Sequence, residues 1–95
     1  MEISKGKWQR GKPHGTVVTD NGEGFPEGYM SKESLDFYGG YLIAESIGKV
    51  ADQDLIIAAP EIYEALTELI PFAAEFINDN HPAMKKAKAA LGKIR

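Results

Sequence analysis

The sequence predicts an α+β protein in which a short antiparallel β-sheet in the N-terminal half is packed by two to three C-terminal α-helices. Two observations carry this. Short β-prone segments separated by Gly, Pro and Asn occupy residues 1–46, whereas apolar residues at helical spacing dominate residues 49–91. Pro60 and Pro82 then stand where new helices would begin, since proline lacks an amide hydrogen and suits a first helical turn. At 95 residues the chain is expected to form a single domain, 1–95, burying about 60 to 65% of the surface of the unfolded chain.

The first strands are expected at Lys7 to Arg10, around Trp8, and at Thr16 to Thr19, around Val17 and Val18, separated by Lys12-Pro13 and Gly15. Asn21-Gly22 reads as a hairpin turn, because both residues tolerate positive φ. Residues 23–36 are rich in glycine and lack a sustained period, so they read as a long loop with at most one helical turn after Ser31. Phe37 to Ser46 is the best strand candidate, with its apolar run at Tyr41 to Ala44 and Gly39-Gly40 marking a bulge, a turn or a close backbone approach.

Pro60 disfavours the α conformation at Ala59, which divides the helical half into Lys49 to Ala59 and Pro60 to Asn78. In the first of these Val50, Ala51, Leu55, Ala58 and Ala59 are expected inward. The second should kink at Pro71, on its polar side. Its apolar arc, which includes Ile62, Tyr63, Leu66, Leu69, Ile70, Ala73, Ala74 and Ile77, spans about 200°, roughly twice what one core contact needs. The surplus flank, Tyr63, Ile70, Ala74 and Ile77, is therefore assigned to self-association as a homodimer, the alternative being a monomer in which the loop from Glu23 to Asp36, with Phe25, Tyr29 and Met30, folds back over it. A third helix is expected from Pro82 to Leu91, ended by Gly92, with Met84, Ala87 and Leu91 on one side and lysines on the others.

Charge is uneven along the chain. Residues 1–15 carry four basic groups and one acidic, residues 16–80 two basic and thirteen acidic, and residues 81–95 five basic. A net charge of −3 argues against a nucleic-acid footprint, which needs a clearly basic domain. With no cysteine there is neither a disulfide framework nor thiolate chemistry. Residues 1–15 lack the apolar core of a signal peptide and no apolar run reaches a membrane span, so a soluble, cytoplasmic protein is expected.

Candidate chemistry is sparse. His14 and His81 sit beside prolines with no second ligand at helical spacing, so no metal site is expected. The pattern around Gly39-Gly40 lacks the lysine of a phosphate loop and the G-x-G-x-x-G fingerprint, which leaves no cofactor expected. The serines have no placed histidine, and the helical glutamates fall on a solvated sector, so no catalytic residue is assigned. Phe25, Tyr29 and Tyr38, on or beside the long loop, are candidate partner anchors, with core packing as their alternative role.

The run from Ala51 to Leu66, ADQDLIIAAPEIYEAL, resembles the N-A-x-L-I-A-A-A-P-E-L-L-E-A-L signature of small accessory proteins encoded by tailed bacteriophages and prophages. Trp8 followed by Val17, Val18 and Gly22, the segment Tyr38 to Ser46, and Pro82 to Leu91 extend the likeness. Asp52, Gln53, Ile57, Ile62 and Tyr63 depart from it. The resemblance implies a phage or prophage origin and no settled activity. A non-catalytic protein-interaction module is therefore expected, acting in the host cell on a host or phage protein such as a defence or replication component. The alternatives are a small nucleic-acid-binding protein using the basic termini, and a small-ligand-binding protein or enzyme.

Overall fold

The computed structural model describes residues 3–94, which group into two compact units, one ending at Ala59 and the other beginning at Pro60. The elements run β1 (Trp8–Arg10), β2 (Val17–Thr19), α1 (Lys32–Tyr38), β3 (Tyr41–Ala44), α2 (Val50–Ala73) and α3 (Pro82–Gly92), an α+β arrangement. The boundary between the units falls inside α2.

In the N-terminal unit the sheet order is β1-β2-β3, antiparallel throughout, with Trp8 opposite Thr19 and Thr19 opposite Tyr41. As the central strand, β2 is covered on both faces, and consecutive residues Val17, Val18 and Thr19 are all fully buried. Its polar neighbours are satisfied: Thr16 Oγ1 donates to the Pro13 carbonyl at 2.7 Å and Thr19 Oγ1 to the Lys5 carbonyl at 2.5 Å. The β1–β2 connection closes on itself through Gly11 N–H donating to the Thr16 carbonyl at 3.1 Å.

Asn21-Gly22 is not a hairpin turn. The next strand follows only after α1, so the asparagine acts locally instead, its Oδ1 accepting from Glu23 N at 2.8 Å while Phe25 N donates to the Gly22 carbonyl. Within the stretch read as a loop, Ser31 caps a helix: its Oγ accepts from Ser34 N at 3.1 Å, and α1 then runs through Phe37 and Tyr38, which the sequence had suggested for a strand. Gly39, at φ 84°, is the left-handed residue that ends α1 and donates to the Leu35 carbonyl at 2.8 Å. Gly40 is the close approach: a Cβ there would stand 2.8 Å from the Thr19 carbonyl oxygen. Lys12, from the β1–β2 turn, donates through N to the Tyr38 carbonyl and through Nζ to the Asp36 carbonyl, both at 2.9 Å, placing a cation at the negative end of α1.

Pro60 does not divide the helical half, since α2 continues through both Pro60 and Pro71. An internal proline costs about 3 kcal/mol, but a break would create two new ends with up to four unpaired N–H and four unpaired C=O groups. The helix ends at Ala73 instead of Asn78. Beyond it the chain tightens, with Glu75 N donating to Phe72 O and Phe76 N to Ala73 O, and no basic side chain is present in the last turn to stabilise the helix there.

The expected inward face of the first turns of α2 is also corrected. Val50, Ala51, Leu55 and Ala59 are exposed, while Gln53 is buried and its Nε2 donates to the Thr16 carbonyl at 2.9 Å. That bond, with Arg10 paired to Asp54 at 2.8 Å, ties these turns to the β1–β2 segment and sets the helix phase. In the C-terminal unit His81 caps α3, its Nδ1 accepting from Ala83 N at 3.1 Å, and Pro82 takes the first turn. Met84 and Leu91, seven residues apart on one side of α3, are the buried residues of this unit among those described.

Two outcomes follow for urea unfolding monitored by circular dichroism. Gln53→Glu keeps the side-chain shape but removes the donor, so it should destabilise by about 1–3 kcal/mol at neutral pH. Burial raises the new carboxyl's folded-state pKa, so the loss should shrink as the pH falls and the group becomes a donor again. Leu91→Ala should cost about 2–5 kcal/mol, whereas exposed Glu64→Ala should stay within about 0.5 kcal/mol.

Candidate interaction surface

Within the C-terminal unit, α2 from Pro60 onward and α3 share an apolar groove of about 210 Å³, lined from α2 by Leu66, Ile70 and Ala73 and from α3 by Met84 and Ala87. The side of α2 carrying Tyr63, Leu66, Ile70 and Ala73 is half-buried, as is Ile77 just beyond it. The adjoining side is not covered. Ile62, Leu69 and Phe72 on α2, and Phe76 in the turn that closes it, are 50, 62, 68 and 85% exposed.

With Ala65, also exposed, Ile62, Leu69 and Phe72 recur at intervals of three, four and three, the spacing that keeps side chains on one seam of a helix, and Phe76 follows four residues on, in the turn beyond the helix. Glu61, Glu68 and Glu75 each precede a seam residue by one position and form an exposed acidic border. No lysine or arginine occurs between residues 50 and 80. The four lysines of residues 82–93, Lys85, Lys86, Lys88 and Lys93, are exposed, and Lys88 pairs with Asp79 at 2.8 Å.

Of the flank assigned from sequence to self-association, Tyr63, Ile70 and Ile77 are half-buried and Ala74 is exposed. Ile70 and Ile77 both line the groove with α3. Sequence reasoning placed Ile62 and Leu69 within the apolar arc but took its other flank as the surplus, and so missed the exposure of the seam residues. The signal that could have found them is the heptad interval combined with a glutamate before each of Ile62, Leu69 and Phe76.

The aromatic candidates lie in the N-terminal unit. Phe25 stacks on Tyr29 at 4.8 Å and on Tyr41 at 5.5 Å, so much of its surface faces other rings. Tyr29 is 44% exposed, and its hydroxyl donates to the Leu42 carbonyl at 2.9 Å. Tyr38 meets the exposed Phe37 edge-on at 5.0 Å and donates to Glu45 Oε2 at 3.1 Å. That hydrogen bond, reinforced by the carboxylate's negative charge, holds the Tyr38 phenol above its ordinary pKa. Basic groups of this unit meet carboxylates at the surface, Lys5 with Glu23 at 3.0 Å and Arg10 with Asp54.

Among the described residues no cluster of three or more His, Asp or Glu could hold a metal ion, and no helix is long and apolar enough to cross a membrane. His81 uses Nδ1 to cap α3. Glu45→Gln should lower the Tyr38 pKa toward its ordinary value, read by ultraviolet titration of the phenolate as the difference between the variant and the parent. The sign follows from the raised folded-state value: the pairing stabilises the fold while the phenol is protonated, and that contribution is lost as the pH rises through the folded pKa.

No curated protein and no solved structure matches the chain. The family model described as Salmonella phage P22 protein Y8K6 matches residues 1–95, the whole length, and the chain belongs to that phage protein family.

Proposed function

We propose that this phage protein is a non-catalytic interaction module that binds and modulates another protein, of host or phage origin. The observation that carries the reading is the row of exposed large apolar side chains, Ile62, Leu69, Phe72 and Phe76, on one side of the C-terminal unit. Scattered exposed leucines are ordinary, but a contiguous apolar strip bordered by charge is what a partner-binding surface looks like. Such a strip carries a penalty in water that only contact with another apolar surface relieves.

The sheet half fits the same reading as a scaffold. Its central strand is fully covered and Phe25 stacks on Tyr29 and Tyr41, while Phe37, Val50 and Leu55 remain exposed.

The test is affinity capture of tagged protein from infected cells, comparing the parent with Leu69→Asp, Phe72→Asp and the exposed control Glu64→Ala by quantitative mass spectrometry. The parent and the control should recover the same protein in a fixed ratio, and both aspartate variants should lose at least about nine-tenths of it, in keeping with the weight of central apolar anchors in interfaces. If the parent recovers nothing above an untagged control, the interaction reading fails.

A further inference from the structure

We propose that the seam from Ile62 to Phe76 takes a basic amphipathic helix of a different protein, laid along α2 with its lysines or arginines beside Glu61, Glu68 and Glu75. This rests on the interaction reading above and adds the chemistry of the partner. Three properties of the face select that occupant.

The first is its geometry. Within α2, Ile62, Ala65, Leu69 and Phe72, at intervals of three, four and three, give the side-chain pattern into which a second helix interlocks, knobs into holes, over about one and a half heptads, with Phe76 following in the closing turn. A strand would instead need apolar groups at every second residue. The groove shared with α3 adjoins the seam, with Leu69 lining it, so a large side chain from the incoming helix has an apolar recess to enter.

The second is size. Taking about 200 Å² for each large side chain, the exposed fractions of Ile62, Leu69, Phe72 and Phe76 leave roughly 500 Å² of apolar surface in water. A stable interface removes about 800 Å² from each partner, and a non-obligate one is about 56–58% apolar. The seam therefore has the apolar content of a complete interface.

Charge is the third property, and it separates a foreign helix from a second copy. If α2 paired with itself in the antiparallel sense, Glu61, Glu68 and Glu75 of one copy would face the same row of the other. In the parallel sense they would face Leu66 and Ala73, which offer no charge. Neither arrangement gives the three carboxylates a cation from the facing α2, because residues 50–80 contain none. A helix with lysine or arginine along one border satisfies all three and buries the same apolar strip.

The experiment uses two fluorescein-labelled two-heptad peptides held at nanomolar concentration, both with leucine at the seam positions, one with lysine at the flanking positions and one with glutamate. Fluorescence anisotropy with the full chain should show the lysine peptide binding at least about tenfold more tightly than the glutamate peptide, the combined effect expected of three exposed charge pairs. The preference should weaken as salt is raised. Phe72→Asp should abolish binding without changing the circular dichroism spectrum, and the combined variant Glu61→Lys, Glu68→Lys and Glu75→Lys should reverse the preference between peptides.

Equal binding of both peptides, or binding of neither, overturns the proposal. So does sedimentation equilibrium giving the mass of two chains for the parent and of one for Phe72→Asp, since the face would then belong to a second copy. Capture of a partner in cells that is unaffected by Leu69→Asp would leave the interaction reading standing while removing this surface from it.

Discussion

The N-terminal unit depends on one buried contact between helix and sheet, the hydrogen bond from Gln53 Nε2 to the Thr16 carbonyl. An amide side chain withdrawn from water must find partners or incur a desolvation penalty of about 1–3 kcal/mol, so the first turns of α2 can approach the β1–β2 segment in only one rotation about the helix axis. That rotation turns Leu55 outward and leaves Ile56, Ile57 and Ala58 half-buried. The same carbonyl accepts from Gly11 N–H, so both of its lone pairs serve the architecture, one closing the β1–β2 connection and the other holding the helix. Around it no buried side-chain nitrogen or oxygen among the described residues lacks a partner.

The small size of the cores explains why apolar surface remains for other uses. Among the described residues few side chains beyond β2 and its threonines are fully buried, and the C-terminal unit withdraws only Met84 and Leu91 almost completely. Two helices meeting along one seam can cover one stripe of each. An arc of about 200° on α2 exceeds that stripe, and the excess falls where the exposed aromatic residues Phe72 and Phe76 stand. The acidic border beside them has no counterpart on the same helix, and the lysines of α3 decorate a different element. Apolar strip and unmatched charge therefore coincide, and the proposed partner follows from that coincidence.

Helix termini show how local and non-local groups share one task. Ser31 and His81 cap the starts of α1 and α3 from within the adjoining chain. The end of α1 is served by Gly39, locally, and by Lys12, twenty-four residues from Asp36 in sequence. No proximity in the chain announces the second contact. It arises because the β1–β2 turn comes to lie beside the last turn of α1, where a cation is favoured by the helix dipole.

By itself the sequence determined the class of fold and most element positions: β-prone residues around Trp8, Val17-Val18 and Tyr41 to Ala44, helical periodicity after Lys49, and Pro82 followed by Met84, Ala87 and Leu91 are local signals that the structure follows. Membership of a small phage protein family was legible as well, through resemblance. What local signals leave open was decided by tertiary contacts. Asn21-Gly22 has the chemistry of a hairpin turn but no strand directly after it to pair, so it serves as a local turn before α1. Pro60 has the chemistry of a helix start, yet two new helix ends would leave more backbone groups unpaired than continuing through it. The apolar arc of α2 shows how much surface wants cover, but a periodicity has no preferred side. Which flank meets α3 and which faces water depends on where α3 lies, and that position is set by packing between residues distant in the chain.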